Sequence, residues 1–215
     1  MFYPMLATVA AYLLGSLSFA VIVSRTMGLN DPRTFGSKNP GATNVLRSGN
    51  KGAAIATLLL DGLKGWLPVA LVSWFGAPYG LGDGTVALVG FAAFVGHVYP
   101  VFFKFEGGKG VATAMGVVIG VSWILGLATG VTWLIVVYFL RYVSLASILA
   151  AVFAPVYYIF GDGVAWYMST DILLALAVMS GILVWRHSAN LSRLIKGTEP
   201  RLGKRKSDLQ AWHRR

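Results

Sequence analysis

Seven apolar runs, with basic residues confined to every second gap between them, constrain this chain more than any other feature. The runs extend approximately over residues 3–24, 53–75, 85–103, 111–125, 127–140, 145–160 and 172–185. The first three are long enough for a hydrocarbon core of about 30 Å. The other four need interfacial residues to complete a crossing. Read as one helix, residues 111–140 would be about 45 Å long at 1.5 Å per residue, well beyond that core. Gly126 and Gly130 offer a place to turn, which divides the stretch into two spans.

Charge supports the same division. With seven spans, one side receives the N-terminus, residues 76–84, the turn near Gly126 and residues 161–170, and it carries no Lys or Arg. The other side receives Arg25, Arg33, Lys38, Arg47, Lys51, Lys104, Lys109, Arg141 and the nine basic residues from Arg186 onward. Of 18 cations, only Lys64 lies inside a run. The positive-inside rule then places the N-terminus outside and the C-terminus in the cytoplasm. The expectation is an all-α integral membrane protein with seven transmembrane helices. Residues 1–200 form a single domain and residues 201–215 a basic cytoplasmic tail.

Composition excludes several functions. Only 12% of residues are charged, against roughly 25% in soluble domains. The net charge of +10 is carried between spans, which argues against nucleic acid as partner and for anionic lipid or anionic small molecules. The chain has no cysteine, so a thiol nucleophile, a disulfide framework and a cysteine zinc site are ruled out. His97, His187 and His213 lack ligand-like spacing, and no metal or other cofactor is expected. Met-Phe-Tyr-Pro precedes the first run without a basic residue, so that run reads as a retained span rather than a signal peptide.

Three polar segments remain, all on the basic side. The first, residues 31–47, joins the permissive backbones of Gly36 and Gly41 to the neutral donors Ser37, Asn39, Thr43 and Asn44. Arg47 adds a fork suited to phosphate oxygens. This is the chemistry of an anion cradle; the competing reading is a polar loop rich in turn formers. The second, residues 96–113, places Gly107-Gly-Lys109-Gly110 at the start of an apolar run. A glycine turn with a lysine at a helix N-terminus suits phosphate, but the Walker spacing is absent, which speaks against an NTPase. A plain interfacial turn with a snorkelling lysine fits as well. Of Lys104 and Lys109, the latter is favoured as the phosphate contact for its glycine neighbours.

The third group pairs Arg141-Tyr-Val-Ser144 with the stretch from Arg186 to Glu199. His187 and Asn190, three residues apart, share a face on a continued helix, with Arg193 nearby. A basic lipid anchor is the alternative. Inside the membrane, Asp61 and Lys64 are expected to form a structural ion pair, and His97 a packing histidine rather than a base.

The chain resembles the bacterial acyl-phosphate:glycerol-3-phosphate acyltransferases, integral enzymes of the inner membrane. The resemblance rests on Gly36-Ser-Lys-Asn-Pro-Gly-Ala-Thr-Asn-Val-Leu-Arg47, on Gly96-His-Val-Tyr-Pro with Phe105-Glu-Gly-Gly-Lys-Gly-Val-Ala-Thr113, and on Arg141-Tyr-Val-Ser144 with Arg186-His-x2-Asn190-x2-Arg193-x2-Lys-Gly-Thr-Glu199. One departure is Lys38, where the family pattern leads one to expect glycine. The resemblance implies transfer of a fatty acyl group from acyl phosphate to the 1-hydroxyl of glycerol 3-phosphate, giving lysophosphatidic acid and phosphate for phospholipid synthesis. It implies that Ser37, Arg47, Lys109 and Ser144 hold the donor phosphate and developing charge. His187 and Asn190 then position glycerol 3-phosphate. Gly36, Asn39, Gly41, Thr43, Asn44, Lys104, Gly107, Gly108, Gly110 and Arg193 complete the substrate contacts. The hydroxyl proton goes to the donor phosphate itself or, on the rival account, to His187.

The alternative outside enzymology is an organic-phosphate transporter. Such proteins often show internal repeats around a midplane site. No convincing repeat is present here, and the polar motifs gather at one face. A lipid-anchored scaffold leaves the glycine motifs unexplained.

Overall fold

The computed structural model describes residues 2–203, and among them every regular element is a helix. The basic tail expected over 201–215 lies outside the described residues from 204 onward, as does His213. The helices are α1 (Phe2–Gly15), α2 (Phe19–Thr26), α3 (Ala42–Val45), α4 (Lys51–Phe75), α5 (Asp83–Val98), α6 (Val111–Val121), α7 (Trp123–Leu140), α8 (Val143–Phe160), α9 (Thr170–Arg186) and α10 (Ser188–Ile195). Four segments are long and apolar enough to cross a bilayer: α4, α5 with the turn that follows it, α7 and α8. The bent pairs α1–α2 and α9–α10 raise the number to six if each is one span. The chain is an all-helical, multi-pass membrane protein. Large apolar side chains such as Leu134, Tyr138, Phe139 and Phe160 project from its outer surface, where lipid replaces water as the solvent.

Two expectations need correction. The first run is not one continuous helix, because α1 and α2 meet at 45°. The break frees the Leu17 carbonyl, and Lys64 Nζ donates to it at 2.6 Å. A backbone carbonyl freed at membrane depth needs such a partner. The second correction concerns the turn placed near Gly126. The chain instead breaks at Ser122, whose backbone is extended (φ −157°) and whose side chain accepts from Leu125 N as the N-cap of α7. Gly126 lies inside α7, where its missing side chain lets Ile119 of α6 approach. The 11 residues of α6 reach only about 16 Å, well short of the hydrocarbon thickness.

Glycines set the helix crossings that position the site. A Cβ at Gly116 of α6 would run into the Gly62 carbonyl of α4, and one at Gly65 into the Thr113 carbonyl. The α1–α5 contact is built the same way by Gly15 and Gly96. In lipid, where apolar burial gives little drive between helices, such close backbone approach supplies the packing energy. Thr113 Oγ1 also donates to the Asp61 carbonyl at 3.0 Å, which fixes the start of α6 against the middle of α4. Gly116→Val is therefore expected to cost about 2–3 kcal/mol by overpacking. Thermal unfolding in detergent reads this as a lower midpoint; an unchanged midpoint would mean that the α4–α6 contact is dispensable.

Candidate active site

The first polar segment is a shaped loop, and Asn44 shapes it. Its Nδ2 donates to the carbonyls of Pro32 (2.7 Å) and Phe35 (3.1 Å), and its Oδ1 accepts from Ser37 N (3.0 Å). These bonds engage the Asn44 amide, and the residue also borders the cavity described below. It holds the loop for its neighbours. Gly36 has φ +60°, and a Cβ there would strike Asn44 Oδ1. Lys38 has φ +56°, a left-handed conformation that costs a residue with a side chain about 1–2 kcal/mol and glycine almost nothing. That accounts for the glycine expected at this position. Upstream, Asp31 pairs with Arg33 at 2.7 Å. The hydrogen bonds from Arg33 outweigh partial burial and hold the Asp31 carboxyl below the usual carboxylate range.

The glycine turn is held from two helices. Gly108 N donates to the His97 carbonyl of α5 at 3.1 Å. Arg186, at the end of α9, donates from Nη2 to the carbonyls of Gly107 (3.0 Å) and Gly108 (3.2 Å). Side chains at Gly107 or Gly108 would collide with His97, and one at Gly110 (φ +86°) with the Phe94 ring. Lys109 leaves this turn and donates through Nζ to Asn190 Oδ1. Partial burial pushes its pKa down to about 8; Arg193, Arg186 and Arg47 add to the fall and Glu199 opposes it.

The third group closes on a carboxylate. Glu199 is buried and accepts from Ser144 Oγ (2.7 Å), Asn190 Nδ2 (2.6 Å) and Arg193 Nε (2.7 Å). Burial alone would raise its pKa, but these three donors hold it below the ordinary carboxylate value. His187 sits at the 58° bend between α9 and α10, with Nδ1 2.8 Å from the Leu183 carbonyl. A carbonyl only accepts, so Nδ1 carries the proton and the neutral ring leaves Nε2 as an acceptor. The segment past α10 is tied back over α8: Leu202 N donates to the Arg141 carbonyl at 2.7 Å, and Arg201 Nε to Tyr142 OH at 2.9 Å.

These pieces surround one cavity of about 410 Å³. Of the residues expected from sequence, Ser37, Asn39, Gly41, Thr43, Asn44, Arg47, Lys109, Gly110, Ser144, His187, Asn190 and Arg193 line it. Gly36, Gly107 and Gly108 stand behind the lining and shape it. Lys104 is a correction: it follows the turn Val101–Phe103 in a left-handed conformation, exposed and outside the cavity. Two carboxylates that sequence reasoning left outside the site lie within it. Glu199 and Asp61 both line the cavity, as do Trp133, Ser147 and His97. Glu199 could have been found as the one carboxylate in a basic stretch, reaching Arg193 across the turn at Gly197. A smaller apolar cavity, of about 40 Å³ and lined by α6–α9, shares Val111, Trp133 and Ser147 with the first. The four cations on the larger wall (Arg47, Lys109, Arg193 and Arg201) outnumber the two carboxylates, so the cavity favours anions.

The sequence profile of the glycerol-3-phosphate acyltransferase family matches residues 5–197. The chain is 72% identical over 204 residues to a glycerol-3-phosphate acyltransferase of Albidiferax ferrireducens, covering 95% of this chain and 91% of the relative. Its fold is similar to the crystal structure of PlsY (YgiH), an integral membrane glycerol 3-phosphate acyltransferase, in its glycerol 3-phosphate form. The TM-score is 0.85, with 37% identity over 93% of this chain and 96% of that one. The lysophosphatidic acid form of PlsY gives a TM-score of 0.83 and 36% identity, covering 93% of this chain and 95% of that one.

Proposed function

The chain belongs to the glycerol-3-phosphate acyltransferase family, and on that premise we propose that an acyl phosphate is its acyl donor. The protein is an enzyme that acylates glycerol 3-phosphate and produces lysophosphatidic acid. One observation carries the donor assignment. Lys109, from a glycine turn, and Asn190, from the last helix, meet across a cationic cavity that shares Val111, Trp133 and Ser147 with a neighbouring apolar one. A phosphate head at Lys109 with its tail directed between α6 and α9 uses both parts.

The 1-hydroxyl of glycerol 3-phosphate attacks the acyl carbonyl, the C–O bond to phosphate breaks, and inorganic phosphate leaves. Lys109, Arg47, Ser37 and Ser144 stabilise charge at the donor phosphate and carbonyl, while His187 and Asn190 orient the acceptor. Electrostatic stabilisation and proximity supply the rate. The hydroxyl proton passes to the departing phosphate, which keeps the step balanced without another base. The bond from His187 to the Leu183 carbonyl supports a fixed ring that accepts a hydrogen bond from the acceptor through Nε2.

Lys64 apart, the cations fall on alternate loops, which supports seven crossings with the short α6 included. The positive-inside rule then puts the site at the cytoplasmic face of a bacterial inner membrane, the N-terminus outside and the basic tail inside.

Two measurements test this reading. Purified protein supplied with acyl phosphate and glycerol 3-phosphate should release phosphate only when both are present. Equal turnover with an acyl thioester would overturn the donor assignment. His187→Gln is expected to keep the maximal rate within about threefold at saturating glycerol 3-phosphate and to raise KM for that substrate. A collapsed kcat with unchanged KM would instead make His187 the base.

A further inference from the structure

One cation next to the site does not line the cavity. Arg186 ends α9 and stands behind the glycine turn. Its Nη2 donates to the carbonyls of Gly107 (3.0 Å) and Gly108 (3.2 Å). Its guanidinium lies 6.0 Å from the centroid of the Tyr99 ring, and the Tyr99 carbonyl accepts from Tyr12 OH of α1 at 2.9 Å. Among the described residues no carboxylate pairs with Arg186, and its buried Nε has no hydrogen-bond partner. Holding a cation partly buried without a counter-ion costs free energy. An anionic substrate in the neighbouring cavity offsets that cost.

Two links cross the same gap. Arg186 reaches from the end of α9 to the turn, and Lys109 reaches from the turn back to Asn190 of α10. Between Arg186 and Asn190 stands His187, at the 58° bend that separates α9 from α10. The turn, the bend and α10 therefore form a closed ring of contacts whose shape depends on both links. The peptide bonds of the turn are trans, so each carbonyl and the N–H that follows it point opposite ways. With both carbonyls aimed at Arg186, Gly108 N points at the His97 carbonyl of α5, and the chain enters Lys109 in a fixed direction. Without the guanidinium, two adjacent carbonyls lose their common donor and the turn is held from α5 alone.

We infer that Arg186 is a positioning residue for glycerol 3-phosphate: its grip on the Gly107 and Gly108 carbonyls sets the approach of Lys109 to Asn190, and so the seat in which the acceptor is held. The inference rests on the reading above that His187 and Asn190 orient the acceptor. Arg186 works through these neighbours and not from the cavity wall.

Binding of glycerol 3-phosphate alone to full-length purified protein in detergent tests this without chemistry. The rise in unfolding midpoint with ligand concentration gives a dissociation constant. Arg186→Met keeps an apolar stem and removes the donors, while Arg186→Lys keeps a charged donor. The expected result is a dissociation constant raised about tenfold or more in Arg186→Met, with partial recovery in Arg186→Lys. Because Arg186 acts through the turn that carries Lys109, its loss in a Lys109→Met background should weaken binding by no more than about twofold further. A dissociation constant within about twofold of wild type in Arg186→Met overturns the inference, even if the midpoint of the free protein falls. So does a further loss of about tenfold in the Lys109→Met background, which would put the effect of Arg186 outside the turn. Should Arg186→Met fail to fold, Arg186→Gln, too short to bridge both carbonyls, takes its place under the same thresholds. His187→Gln checks the underlying reading separately: unchanged binding there would overturn the placing of the acceptor at α9 and α10, whatever Arg186 does.

Discussion

Replacing Lys109 by methionine should lower kcat/KM for the acyl donor by about a thousandfold. Removing one preorganised donor from developing charge typically costs about 10²–10³, and Lys109 brings a full charge from a partly desolvated position. Methionine fills similar volume, so a folding defect should not obscure the result. The same lysine predicts a pH dependence. Its pKa is pushed down to about 8, mainly by burial, and only the ammonium form stabilises phosphate. kcat/KM, which reports the free enzyme, should be full below about pH 8 and fall as pH rises through that value. Lys109→Arg stays charged across the accessible range, so its residual activity should lack this alkaline fall. A methionine variant within tenfold of wild type would remove Lys109 from the chemistry.

Glu199→Ala should be the most destabilising single change at the site, at about 3 kcal/mol. It leaves Ser144, Asn190 and Arg193 without their common acceptor. It also unties the segment that leads to Leu202 and Arg201. Arg193 is partly solvated and can turn to water, which keeps the figure at the lower end for a buried pair. Thermal unfolding measures it, and activity should fall with it because Ser144 and Asn190 both lose their orientation. The pH sign follows from the pKa. A carboxylate whose folded value lies below its ordinary 4.5 contributes its full stabilisation above that value. The contribution is lost as pH falls through the folded pKa. The alanine variant should therefore lose less stability than wild type on acidification below about pH 4.5. Equal midpoints at neutral pH would mean that Glu199 only lines the cavity.

Much of the molecule could be read from residues in order. The apolar runs and alternating cations identified a multi-pass helical membrane protein because hydropathy and charge act locally on each segment. The three polar segments were found for the same reason: glycines, amides and cations are conspicuous in an apolar chain. Where reading failed, the cause was contact between distant backbones. Gly126 is a plausible place to turn until Ile119 packs on it, and the break falls at Ser122 instead. Lys104 and Lys109 differ little as residues, yet the left-handed turn after Phe103 sends one outside the cavity. Asn44 borders the cavity, but its bonds to Pro32, Phe35 and Ser37 could not be read from residue type.

The sequence by itself determined the solvent this chain folds in, its helical class, the segments that carry its chemistry and, through their order, its family. Only the tertiary structure decided which members of those segments touch and which support. Lys109 reaches Asn190, Glu199 gathers Ser144, Asn190 and Arg193, and Asp61 faces His97 beneath the glycine turn. Membrane preference is a sum over residues and survives without coordinates. A hydrogen-bonded site depends on ångström-scale approach between residues dozens of positions apart, which glycine crossings and broken helices set and which no single segment contains.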